Sequence, residues 1–164
     1  MKVFYVSALI LMSFHASAAQ NSHLNDFANI FDKYCFDFKN DHSAAGALLE
    51  KDGHTRNPEF QDAYEIVIGT VDYAVTPQNY DCTADVLIKR NGKSLFTHAE
   101  LNTYLIKEFE LTETSRSSFD DVALNNRNTQ IRQTDYTAPS GHNYRLLFPL
   151  DNQESYYMTF TIDW

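Results

Sequence analysis

The chain has two cysteines, Cys35 and Cys82, so a disulfide within it has one possible pairing. Each cysteine lies in a segment with its own apolar pattern. Leu24, Phe27, Ala28, Phe31, Tyr34, Cys35 and Phe38 recur at offsets of three and four, which predicts an amphipathic helix over residues 24–38 with Cys35 on its apolar stripe. Asn25, Asp26, Asn29, Asp32, Lys33 and Asp37 take the opposite side. Across residues 80–90, Cys82, Ala84, Val86 and Ile88 alternate with Thr83, Asp85, Leu87 and Lys89, the period of two that predicts a strand. A bond between the two sulfurs would fix a helix stripe against a strand face, and folds that keep these segments apart are excluded.

The compartment decides whether that bond forms. Lys2 precedes an apolar run at residues 3–12, and Ala16-Ser17-Ala18 has the small-x-small form of a signal-peptidase site. This predicts a cleaved leader over 1–18 and a single mature domain over 19–164. The run of about ten residues is well short of the roughly twenty that span a bilayer. No Cys stands at the cleavage point to take lipid, and no later run is longer, so no membrane insertion is expected after cleavage. The expected location is the periplasm or the medium. In that oxidising setting the pair reads as a structural disulfide rather than a metal site or a reactive thiol. Tyr34, Phe36, Phe38 and nearby aspartates around Cys35 also disfavour a thiolate.

The formal net charge is −9, and the 13 Lys and Arg residues form no patch in sequence. Nucleic acid and anionic membrane surfaces both require clustered basic residues, so they are poor partners for this chain. A protein with a basic surface fits its charge.

The remaining pattern is read in chain order. Asn40-Asp41-His42-Ser43 supplies capping residues for a second helix whose stripe is Ala44, Ala47 and Leu48, with Gly53 ending it. Residues 55–61 read as a loop. Residues 63–75 read as one central strand, with Gly69 marking a bulge. Asn91-Gly92 predicts a two-residue hairpin turn. Thr97 and Glu100 have capping-box spacing for a helix that buries Leu101, Tyr104, Leu105 and Phe109. Residues 112–128 are polar and unpatterned and read as a long loop; residues 129–137 read as an edge strand. Tyr144, Leu146, Phe148 and Leu150, then a turn at 151–154, then Tyr156, Met158, Phe160, Ile162 and Trp164, predict a final hairpin. The expected fold is α+β: a single domain with a mainly antiparallel sheet, helices on one face, and one disulfide.

Motifs that carry chemistry are missing. His23, His42, His54, His98 and His142 stand in separate segments with no metal-ligand spacing, and neither GxSxG nor a phosphate-binding glycine loop is present. Asp120-Asp121 with Asn125-Asn126 lacks the ligand spacing of an EF-hand. No cofactor or metal is expected.

The order of leader, Cys-bearing helix, short Ala/Leu helix ending in Gly, and second Cys at a strand start resembles that of small, uncharacterised periplasmic proteins of Gram-negative bacteria. Phe31, Cys35, Leu48, Gly53 and Cys82 carry this resemblance. Immunity proteins against exported bacterial toxins are similar in size, acidity, export and disulfide. The expected function is therefore a non-enzymatic binding or inhibitor protein, with toxin immunity its most concrete form. Phe119, Asp120, Asp121, Asn125 and Asn126 are its candidate partner-binding loop. The alternatives are a small hydrolase drawing on Asp120, Asp121 and His142, and an envelope structural or stress protein.

Overall fold

The computed structural model describes residues 21–163, apart from 59, 61, 91, 92, 123–126 and 151–155. The expected leader, the Asn91-Gly92 turn, Asn125, Asn126, the 151–154 turn and Trp164 lie outside the described residues.

Helix α1 spans Ser22–Tyr34. It starts earlier than its apolar stripe because the Asn21 side chain caps it, accepting from the His23 N–H at 3.1 Å. It also ends earlier. Cys35 is the C-cap, its N–H donating to the Phe31 carbonyl, and Phe36–Phe38 continues as a single 3₁₀ turn. Helix α2 spans Ser43–Lys51 and stops at Gly53, whose φ of +87° is the left-handed conformation expected of that position. Its inward residues are Ala45 and Leu49, one position on from the expected Ala44 and Leu48, and Ala47 is exposed. The alanines differ too little in apolar area to fix the helix rotation. A β carbon at Gly46 would stand 3.2 Å from the Tyr64 hydroxyl, which itself donates to Glu50, so Tyr64 sets the rotation by close approach.

Helix α3 spans His98–Glu108 and carries the full capping box: Glu100 N–H donates to Thr97 Oγ1, and Thr97 N–H donates to Glu100 Oε2 at 2.7 Å. Thr97→Ala should therefore cost about 1 kcal/mol in urea denaturation. An unchanged midpoint would mean that the helix start is held by its packing alone.

Eight strands form one antiparallel sheet: β1 Thr55–Asn57, β2 Ala63–Ile68, β3 Val71–Pro77, β4 Asp81–Leu87, β7 Thr112–Val122, β8 Asn128–Thr137, β9 Asn143–Pro149 and β10 Tyr157–Asp163. The short strands β5 Lys89–Arg90 and β6 Lys93–Ser94 pair separately, flanking the expected hairpin turn. The order β1-β2-β3-β4-β10-β9-β8-β7 is two four-stranded meanders joined through β4 and β10, the last strand of each.

Four expectations are corrected here. Residues 63–75 are two strands, and Gly69, at φ +63°, belongs to the turn between them; a chain with apolar residues on both parities looks the same either way. Residues 55–57 form a short edge strand, not loop. Residues 112–122 form β7, the other edge strand. Every residue of β7 is exposed, so no buried face writes an alternation into its sequence. Finally, β8 is interior, flanked by β7 and β9.

The helices cover one face. Phe31 of α1 lies at the centre of an aromatic cluster, its ring 4.5 Å from Phe160, 5.4 Å from Phe109 and 6.4 Å from Tyr144. Cys35 and Cys82 are bonded, with Cα atoms 5.3 Å apart, and both are fully buried. The bond joins the end of α1 to β4, as the two stripes require. Ile131 is also fully buried but stands outside this core. It shares a face with its cross-strand neighbours Phe119 and Pro149, opposite the helices.

Candidate interaction surface

β7 is eleven residues long and, among the described residues, pairs with β8 alone. Its other side presents backbone N–H and C=O groups, and a bulge between Glu113 and Ser115 shifts its register with β8 near its start. Phe119 and Val122 are 39% and 56% exposed, apolar side chains on an otherwise charged and hydroxylated strand.

Three of the five expected binding residues, Phe119, Asp120 and Asp121, therefore stand on an edge strand instead of a loop. Asp121 accepts from the Tyr156 hydroxyl at 2.5 Å and from the Val122 N–H at 2.7 Å, and the Tyr156 bond above all holds its carboxyl below the usual range. Next to β7, Asp135 is pushed up by burial but pulled down further by bonds from Ser115, Arg145 and Gln133, so its pKa also lies low. Arg116 is paired with Glu113 at 2.5 Å. Among the described residues the edge thus combines a main-chain side with no strand neighbour, the held carboxylate of Asp121 and exposed apolar groups, with the held carboxylate of Asp135 beside it on β8.

The three residues of the hydrolase alternative are not brought together. Asp121 pairs with Thr129 at one end of β8, whereas His142 follows Thr137 at the other, about 26 Å away at the rise of a strand. Among the described residues, no group of three or more His, Cys, Asp or Glu could hold a metal ion, and no helix is long and apolar enough to cross a membrane.

Sequence spacing did not reveal one cluster, because its members come from separate elements. The Tyr34 hydroxyl donates to Asp52 Oδ2 at 2.8 Å and meets His54 Nε2 at 3.1 Å, while Lys33 Nζ is 2.7 Å from the same Asp52 oxygen. Burial raises the Tyr34 pKa, and Lys33 lowers that of Asp52. The group ties the end of α1 to the end of α2 beside the disulfide.

Two half-buried ionisable groups, Asp85 and His98, give the fold opposing pH responses. Burial raises Asp85 to about 6, against a weaker opposite pull from its 2.6 Å bond with Thr159. Burial, followed by Arg132 and Arg116, lowers His98 to about 4. Ionised Asp85 is disfavoured in the fold, so its contribution falls as pH rises from 3.8 to about 6. Protonated His98 is disfavoured, so its contribution falls as pH drops from 6.5 to about 4. Each is on the order of 2–3 kcal/mol, and over this window they offset one another. Asp85→Asn should therefore gain stability over wild type as pH rises through the window, and His98→Gln should gain as pH falls. Parallel urea curves at the two ends of the window, with either difference constant, would contradict the assignment.

Comparison of the chain with protein-family models, with curated proteins and with solved structures finds no match.

Proposed function

We propose that this is an exported binding or inhibitor protein whose partner, a protein with a basic surface, adds a strand along β7. Immunity against a secreted toxin is the most concrete form of this role. The observation that carries the reading is the edge itself: eleven exposed residues whose one strand neighbour, among the described residues, is β8, carboxylates at Asp120 and Asp121, and Phe119 as an apolar contact. Strand addition draws affinity from main-chain hydrogen bonds and selectivity from alternate side chains. A net charge of −9 favours encounter with a basic partner.

The test is affinity capture from periplasmic extract with wild type and with the double variant Phe119→Lys, Asp120→Lys. Asp120 is exposed and Phe119 partly so, beside Ile131, so the variant should fold at a cost of about 1 kcal/mol, and its urea midpoint is measured alongside. Wild type should retain a basic protein that salt releases, and the variant should lose it. Capture of nothing, or equal capture by the folded variant, counts against the reading.

A further inference from the structure

The edge of β7 is complementary to itself. Thr112–Val122 contains neither Lys nor Pro, the residues that commonly blunt a sheet edge, and its pairing with β8 runs unbroken from Ser115 to Val122. Its charges are divided along its length, with Arg116 toward the start and Asp120 and Asp121 toward the end.

Register with β8 assigns each side chain a face. Arg116 opposes Thr134, whose hydroxyl meets His98 Nε2 at 3.5 Å, so Arg116 lies on the side that carries α3. Ser118 and Asp120 share that side by alternation. Arg132, opposite Ser118, adds a second guanidinium there, and after burial both Arg132 and Arg116 lower the pKa of His98. Phe119 and Ile131 take the other side.

A second copy, antiparallel and related by a twofold axis normal to the sheet, keeps the helices on one side. Opposed residues must then share a face, and every contact occurs twice. An axis at Ser118 sets Arg116 against Asp120 in both halves of the contact and Ser115 against Asp121 on the other face. Phe119 then faces Ser117 and lies diagonal to Phe119 of the second copy, within reach of its ring. No like charges are opposed. An axis at Arg116 or Asp120 would set a charge against itself, one at Ser117 would bring Asp121 toward Glu113, and one at Phe119 would leave Arg116 and Asp120 facing uncharged residues. Glu113 engages Arg116 through Nη2, and the other N–H groups of the guanidinium can serve a second carboxylate.

We propose that two copies of the chain pair antiparallel along β7 about an axis at Ser118, covering both exposed edges within one continuous sheet. The formal net charge of −9 opposes association, but it is spread over the surface and screened beyond about 8 Å at physiological salt, whereas Arg116 and Asp120 meet directly. The pairing shares with the proposed function only the availability of β7. A second copy and a partner's strand would compete for the same main-chain groups.

The test is sedimentation equilibrium of the purified chain over a range of concentrations. Wild type should pass from monomer to dimer as its concentration rises. Arg116→Asp and Asp120→Arg each oppose like charges in both halves, so each should weaken dimerisation at least about tenfold. An equimolar mixture of these two variants should regain the dimer, because each supplies the charge that the other lacks, and one chain carrying both substitutions should regain it as well. Urea midpoints near that of wild type show that the variants are folded. Wild type that stays monomeric, a dimer that neither single variant weakens, or a mixture that remains monomeric overturns the proposal. A monomer that still retains a basic protein in the capture experiment removes the second copy and leaves the proposed function standing. A dimer rescued by mixing, with no protein captured, leaves the self-pairing standing alone.

Discussion

Replacing both Cys35 and Cys82 with alanine should lower the stability of the domain by about 4 kcal/mol. The estimate comes from the sequence separation of 47 residues and the chain entropy that the bond removes from the unfolded state. For a domain of this size the melting temperature should fall by roughly 10 °C. The bond lies wholly within the core and is remote from the exposed edge strand β7, so binding there should survive in whatever folds. Urea denaturation of wild type, oxidised and reduced, beside the double variant is the measurement. Reduced wild type should resemble the variant. A loss below about 1 kcal/mol would show that α1 is held to β4 by packing alone.

Phe31→Ala should cost about 3–5 kcal/mol, the usual range for deleting a buried phenyl ring. Phe31 is completely buried and meets rings from α3's end, β9 and β10, so its loss opens a cavity among Phe109, Tyr144 and Phe160 that rigid strands cannot close. Phe119→Ala is the control. Phe119 is partly exposed on the edge strand, and its removal should change stability far less. The two variants should share one urea slope while their midpoints separate. Similar midpoints would mean that the aromatic cluster is not the centre of the core.

The parts of the fold that were readable in the sequence are those with a buried face. The alternation of Cys82, Ala84, Val86 and Ile88, the aromatic rows of β9 and β10, the stripe through Phe27, Phe31 and Tyr34, and the Thr97–Glu100 box all record contact with the core in their periodicity. The disulfide followed from two of these patterns. What could not be read has a common cause. β7 has no buried face, so its eleven residues look like loop, and its place is set by pairing with β8. Two strands with apolar residues on both parities merged around Gly69, because only the positive φ there distinguishes a turn from a bulge. The rotation of α2 depends on the reach of Tyr64, which no local pattern contains. Candidate site residues fared likewise. Phe119, Asp120 and Asp121 share a surface, but His142 is at the far end of β8. The contact between the Phe60 and Tyr157 rings, 5.4 Å apart, joins residues almost a hundred positions apart.

The pairing of β4 with β10 also orders events in time. β10 is the last of the described strands yet lies at the middle of the sheet, so until residues 157–163 have been made, β4 is an open edge and the two halves have no shared ladder. Contacts of such long sequence separation are costly to form early and make for slow folding. The disulfide can fasten α1 to β4 beforehand, but it cannot supply the centre of the sheet. A nascent chain therefore cannot close the centre of its sheet before residues 157–163 have emerged, and until then the first meander must persist with β4 as a bare edge.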